Sequence, residues 1–249
     1  MDDELTSPLR TNTKNYTLSP YRWFILFFFS LSNCNQCLAW FSFSSFSQVT
    51  MAKYFGPQMT STTIGVMLNW GPIIGIIFFP ISTWIFARVN GLQKAIWAGL
   101  ALNLVGNIIR CIPILVKETG INQSFPETTV AYVCYHTGQI LIAAAGPFFM
   151  GSVTKLSCVW FAEEERTTAT ALATTANGLG TTIGFLNPQW LTVPEIFWLS
   201  LVLAVVCIVC GFACHLSCLY FMGHLRRLSG RVAAHLSAHC RGGSDLSYF

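Results

Sequence analysis

Charged residues are scarce in this sequence, where Asp, Glu, Lys and Arg together make up 10% of 249 residues. Soluble domains carry about 25% charged residues, which keep the folded surface hydrated. The scarcity excludes an ordinary water-soluble globule. Since 53% of the residues are hydrophobic, the composition instead indicates a chain that lies in lipid.

Several familiar site patterns are also missing. The sequence has no nucleotide-binding glycine loop, no GxSxG nucleophile elbow, no HExxH zinc motif and no basic patch for nucleic acid. No acid, base, nucleophile or set of metal ligands gathers at one depth along the chain. We therefore predict that the chain is not an enzyme, holds no metal or cofactor and binds no nucleic acid.

Long apolar stretches are what the sequence does have. A helix needs about 20 residues to cross a bilayer, and it satisfies its own backbone in hydrocarbon. Six stretches qualify: Trp23–Val49, Thr62–Ala87, Ala95–Val116, Val130–Leu156, Thr167–Pro188 and Ile196–Met222. We predict an all-α polytopic membrane protein with six transmembrane helices over residues 23–222, flanked by cytosolic tails 1–22 and 223–249.

The basic residues set the predicted orientation. With the N-terminus in the cytosol, eleven of the 14 Lys and Arg residues fall in cytosolic segments, and only Lys53 and Lys117 fall on the opposite side. Cytosolic loops of membrane proteins carry an excess of basic residues. We therefore expect both termini in the cytosol. The sequon at Asn122 would then be glycosylated, and the sequon at Asn15 would stay unmodified.

Polar side chains inside the spans have two open interpretations. Amides such as Asn69, Asn103 and Asn177 either join neighbouring helices or line a polar pathway. Trp40 lies well inside the first span and either packs or presents its ring to a cationic ligand. Arg110 either reaches the membrane surface with its long side chain or meets a substrate or acidic partner.

Five motifs, taken in order and spacing, resemble the solute carrier 49 family of the major facilitator superfamily. They are NWGPIIG (69–75), NIIRCIPI (107–114), TGQILIAAAGP (137–147), VWFAEEERTTATALA (159–173) and GFLNP (184–188). The resemblance covers about Tyr21 to Pro188. It implies the N-terminal half of a carrier built from two six-span halves, with the substrate bound between them.

The resemblance also implies substrate-binding residues. Trp40 matches a tryptophan that stacks on the cationic group in choline-transporting relatives, and Gln139 matches a glutamine near the same cavity. With Asn69 and Asn177 they make up the predicted site. The implied substrates are choline-like amines or pyridoxine-like vitamins, the latter with proton coupling. No Asp or Glu lies within the spans, so His136 and His215 are the titratable candidates for that role.

A charge latch is implied on the cytosolic side, between the loop after span two and the loop after span four. Its members here are Glu164, Glu165 and Arg166, with Gly91 opposite. Arg88 stands where the family has an aspartate, which suggests a substitute pair between Arg88 and Glu164. The acidic stretch is predicted to lie in a hydrated turn.

One half of a carrier would expose one wall of its cavity. We therefore expect a truncated or half-carrier chain that needs a second copy or a partner half to transport a solute. The alternative is a non-transporting regulatory or structural membrane protein that associates with a full carrier. The resemblance favours a lysosomal membrane, with the plasma membrane as the other location.

Overall fold

The computed structural model describes residues 20–186, 188 and 190–213. They form seven α-helices and the short 3₁₀ helix Phe125–Glu127, and no strand occurs in this part of the chain. The α-helices are α1 Tyr21–Phe41, α2 Gln48–Phe55, α3 Ser61–Phe86, α4 Gly91–Glu118, α5 Thr129–Trp160, α6 Glu163–Leu186 and α7 Val193–Ala213. Residues 214–222 of the predicted sixth span lie outside the described residues, as do the tails 1–19 and 223–249.

The prediction of an all-α polytopic membrane protein is confirmed. Within the described ranges, α1, α3, α4, α5 and α7 are each long and apolar enough to cross a membrane. Helix α6 has a comparable length of 24 residues, but its threonines, glycines and Asn177 lower its hydropathy. A helix of this kind is expected where one face borders other helices or a polar cavity.

The first span is shorter than predicted. Helix α1 ends at Phe41, eight residues before Val49, although no glycine or proline marks the break. The Ser42 and Ser44 hydroxyls donate to the carbonyls of Ala39 and Phe41, over 2.8 and 2.9 Å. Such local bonds offer the backbone an alternative to the helix. The chain then turns into α2, whose Met51 and Phe55 are fully buried.

The acidic stretch after α5 is helical, which corrects the predicted hydrated turn. Helix α5 continues to Trp160, and α6 begins at Glu163, so only two residues separate them. All three glutamates, Glu163 to Glu165, occupy the first turn of α6. Negative side chains there complement the positive end of the helix dipole.

Two apolar clusters hold the bundle together at its opposite ends. The first lies where α1 ends and includes Phe43, Phe55, Tyr135 and Phe197. The second lies where α1 begins and includes Leu26, Phe149 and Leu156. Among α1 to α6, the most extensive helix pairs are α4 with α5, α1 with α6, and α3 with α5.

A layer of buried polar side chains separates the two apolar clusters. Its members come from four helices and are fully or almost fully buried. They are Asn33, Asn35, Gln36, Asn103, Asn107, Arg110, Gln139 and Ser200. Buried polar groups need partners, and in hydrocarbon each unpaired group costs several kcal/mol. This layer therefore determines how α1, α4, α5 and α7 meet.

Candidate functional site

A cavity of about 470 Å³ lies between α1, α3, α5 and α6. Its volume is within the range of small-molecule sites, about 300–1,000 Å³. The described lining residues are Gln36, Cys37, Trp40, Gly71, Pro72, Gly75, Ile76, Phe79, Ala143, Gly146, Pro147, Met150 and Asn177. None of these residues is charged. The wall therefore offers one indole, two amides and a largely apolar surface.

Trp40 is fixed at the wall by contacts with α3. Its indole Nε1 donates to the carbonyl of Leu68 over 3.3 Å. Gly71 lies directly against the ring, and a Cβ at that position would overlap the indole. The glycine thus lets α3 approach Trp40 closely, as small residues do in membrane bundles.

The two lining amides connect the wall to neighbouring helices. The Nε2 atom of Gln36 donates to the carbonyl of Ile142 in α5 over 3.0 Å. The Nδ2 atom of Asn177 in α6 donates to Oδ1 of Asn33 in α1, also over 3.0 Å. Both side chains thus line the cavity, and their hydrogen bonds connect α1 to α5 and α6.

The structure brings together only part of the predicted substrate-binding set. Trp40 and Asn177 line the cavity. Gln139 is fully buried behind the wall, where its Nε2 donates to the carbonyl of Trp40 over 2.8 Å. Asn69 is exposed on α3 and does not line the cavity. Gln36 was not in the predicted substrate-binding set, although it is a polar residue of the first span that precedes Trp40 by four residues and so shares its helix face.

Arg110 does not reach the membrane surface, so that part of the sequence interpretation is wrong. The residue is fully buried, and its guanidinium contacts α1, α4, α5 and α7. NH1 donates to Ala39 O (2.6 Å), Ser42 Oγ (3.0 Å) and Gln139 Oε1 (3.3 Å). NH2 donates to Asn107 Oδ1 (3.0 Å) and Ser200 Oγ (3.2 Å).

Neutral groups surround this buried cation within the described residues. Its five hydrogen-bond acceptors are carbonyl, amide and hydroxyl oxygens. The guanidinium carbon also lies 4.7 Å from the ring centroid of Phe197 and 5.8 Å from that of Phe43. Aromatic faces attract cations most strongly where water is excluded.

The predicted latch residues lie at the end of the bundle where α1 begins, but their pairing differs from the expectation. Glu165 pairs with Arg22 over 2.8 Å and so joins the first turns of α1 and α6. Arg166 lies 3.8 Å from Glu163 and donates to the carbonyl of Phe161 over 3.2 Å. Sequence reasoning did not connect Arg22 with this group.

The suggested pair between Arg88 and Glu164 is not formed in this structure. Both residues are exposed, and the Arg88 guanidinium lies over the Trp84 ring, 4.4 Å from its centroid. Gly91 begins α4 so close to the end of α3 that a Cβ would overlap the Ile85 carbonyl oxygen. Its position therefore serves the tight turn between α3 and α4.

Relatives of the chain are carriers. No family model matches it. It is 32% identical over 178 residues to solute carrier family 49 member A3 of Xenopus tropicalis, covering 70% of this chain and 34% of that protein. Over 165 residues it is 30% identical to solute carrier family 49 member 4 homolog of Xenopus laevis, covering 66% of this chain and 33% of the relative. The chain belongs to the solute carrier 49 family.

A third member of this group of relatives is the choline/ethanolamine transporter FLVCR1 of Mus musculus. It is 30% identical over 173 residues, covering 69% of this chain and 28% of the mouse protein. The chain thus spans about a third of the length of the solute carrier 49 proteins it matches. Its family membership and its apolar helices make it a multi-pass membrane protein.

Asn122 of the predicted sequon lies at an exposed position. It lies in the connection between α4 and α5, and its Oδ1 accepts a hydrogen bond from Ser124 N over 3.0 Å. We expect Asn122→Gln to remove a glycosidase-sensitive shift in gel mobility from protein made in mammalian cells, and Asn15→Gln to leave the shift intact. A shift that depends on Asn15 would reverse the orientation.

Proposed function

We propose that this chain forms one half of a solute carrier that moves a small organic solute across a membrane. The observation that carries the proposal is the uncharged cavity between α1, α3, α5 and α6, with Trp40 on its wall. A cavity wall with one indole ring and two amides fits the binding and transport of a solute better than it fits catalysis. The comparisons support the same conclusion, because the mouse relative is named a choline/ethanolamine transporter.

For the substrate we propose a choline-like amine or a pyridoxine-like vitamin. A quaternary ammonium has no hydrogen-bond donor, so it suits an aromatic face in an apolar cavity better than a cluster of carbonyls. A pyridine ring could stack on the same indole while its hydroxyls bond the amides of Gln36 or Asn177. The mouse relative is named for choline and ethanolamine, which favours the first class.

A second six-helix half, on the same or another polypeptide, completes the carrier in this proposal. Helix α3 exposes large apolar side chains next to the cavity, with 77% of Ile76 exposed. Helix α6 does the same on the other side of the cavity, with 54% of Leu179 exposed. A facing half that covered both helices would enclose the solute between the two walls.

For location we propose the lysosomal membrane, with the plasma membrane as the alternative and both termini in the cytosol.

We also propose proton coupling through His136. Trp70 Nε1 of α3 donates to His136 Nδ1 of α5 over 3.0 Å, and the Tyr132 ring lies 4.4 Å from the imidazole. A proton added at Nδ1 would break the bond between α3 and α5. His215 lies outside the described residues.

Binding and uptake separate the parts of this proposal. Reconstituted in liposomes, the chain alone should bind labelled choline or pyridoxine and show no saturable uptake, since one wall is open. Lysosomes from cells that supply the other half should show transport that depends on the pH difference across their membrane, and His136→Gln should lose that dependence. Binding of neither compound would contradict the proposed substrate classes.

The same preparation distinguishes the proposed half-carrier from the alternative, a non-transporting protein that associates with a full carrier. Saturable uptake by the chain alone would overturn the need for a second half. Native mass spectrometry after crosslinking would report a homodimer, stabilised by substrate, if two copies make the carrier. A stable complex with an intact carrier, with no binding of solute by this chain, would support the non-transporting role.

A further inference from the structure

The last turn of α1 carries Trp40 and ends inside the packed bundle. The last four carbonyls of a helix have no partner within it. In α1 these belong to residues 38–41, and two of them are satisfied from other helices. Arg110 of α4 donates to the Ala39 carbonyl over 2.6 Å, and Gln139 of α5 donates to the Trp40 carbonyl over 2.8 Å.

These two donors are themselves connected. Arg110 NH1 also donates to Gln139 Oε1 over 3.3 Å, so the guanidinium orients the amide that holds the backbone of Trp40. The negative end of a helix dipole favours a cation in this position. The Arg110 side chain thus meets the end of α1 with its charge and with hydrogen bonds.

We infer that Arg110 is a positioning residue for Trp40. It does not line the cavity, so it acts on a ligand only through the α1 turn that it holds. The serine hydroxyls of Ser42 and Ser44 bond this turn only locally, and the Trp40 indole bonds α3, so Arg110 and Gln139 are the side chains that connect the backbone of the turn to α4 and α5. The inference rests on the proposed function for its meaning, since it treats Trp40 as the ligand contact.

Two variants test the inference from different sides. Arg110→Gln removes the charge and the reach to α1, and Gln139→Leu removes the donor to the Trp40 carbonyl together with the Oε1 that accepts from Arg110. Loss of a hydrogen bond to a charged group corresponds to about a tenfold change or more in an equilibrium. We therefore expect the peptide covering residues 38–47 to exchange its amide hydrogens about tenfold faster in both variants.

The ligand measurement uses labelled choline and labelled pyridoxine as probes. Both variants should bind the probe that the wild type binds more weakly, by about tenfold. Arg110→Lys keeps the charge and should restore part of the protection. The matched control is Ser152→Ala in α5, because Ser152 is fully buried and bonds only within its own helix, to Phe148 O. It should change neither exchange nor binding.

Each result decides a separate point. Unchanged exchange in folded Arg110→Gln and Gln139→Leu would overturn the inference, as would unchanged binding despite faster exchange. If Arg110→Gln does not fold, Gln139→Leu decides alone, because its side chain differs little in volume. Faster exchange in a protein that binds neither probe would support the stabilisation of the last turn of α1 by Arg110 and Gln139, and it would contradict the proposed function.

Discussion

Replacing Gly180 by valine should lower the unfolding midpoint of the purified protein by about 10 °C. Gly180 lies at the crossing of α6 and α1, and a Cβ there would overlap the backbone carbonyl oxygen of Cys34. Overpacking costs about 1–3 kcal/mol when side chains can move. Backbone atoms cannot yield in this way, so we expect the upper end of that range or more, with each kcal/mol worth about 2–4 °C.

The same helix provides the matched control. Gly178 precedes Gly180 by two residues, and a Cβ there would meet no atom within 4 Å. Gly178→Val should therefore change the unfolding free energy by less than about 0.5 kcal/mol, as surface substitutions do. Thermal unfolding in detergent, followed by tryptophan fluorescence, measures both variants. Equal destabilisation by the two valines would contradict the packing of α6 on α1.

Replacing Trp40 by alanine should weaken the binding of choline about 30-fold. A cation over a desolvated indole gains about 2 kcal/mol, and each 1.4 kcal/mol is tenfold in affinity. Trp40→Phe keeps an aromatic face and loses the bond from Nε1 to Leu68 O, so it should lie between the wild type and alanine. Equilibrium binding of labelled choline to protein in nanodiscs measures all three proteins.

Trp190 serves as the control for this series. Its side chain is 71% exposed, and it does not line the cavity, so Trp190→Ala should bind choline as the wild type does. A pyridoxine-like ligand should respond to the Trp40 variants in the same order, because its ring also stacks on the indole. Equal affinity of Trp40→Ala and the wild type for whichever probe binds would remove Trp40 from the site.

Most helices of this fold could be predicted from the sequence because lipid imposes one requirement on every span. A spanning segment must be apolar and helical, so hydropathy alone locates α3, α4 and α5 to within about four residues at each end. The end of α1 could not be predicted in the same way. Phe43 and Phe46 keep the stretch apolar, while the serine hydroxyls that end the helix act through local geometry.

That single boundary explains the error about Arg110. A span that continued to Val49 would leave the guanidinium beside an intact helix, with the membrane surface as its nearest polar region. Once α1 ends at Phe41, free carbonyls and Ser42 become available at the same depth. The buried position of Arg110 therefore depends on the fold of another helix, which hydropathy does not report.

The sequence could predict which residues are candidates for the site, but it could not predict which of them face the cavity. Trp40 and Asn177 were found because polar and aromatic groups inside a span need a reason to be there. Asn69 and Gln139 satisfied the same rule but point elsewhere, one exposed on α3 and one behind the wall. Which amide faces the cavity is set by helix rotation, and single-residue polarity does not fix rotation.

The central claim is that α1, α3, α5 and α6 form one wall of a solute cavity that water can enter, and cysteine labelling tests it most directly. Asn177→Cys, in a background with the ten native cysteines replaced by serine, should react rapidly with a charged, membrane-impermeant methanethiosulfonate, because the reactive thiolate forms only in water. Saturating choline or pyridoxine should slow that reaction. The reference is Ile108→Cys, at an exposed position on α4 away from the cavity. Labelling of Asn177→Cys no faster than that of Ile108→Cys would contradict the account.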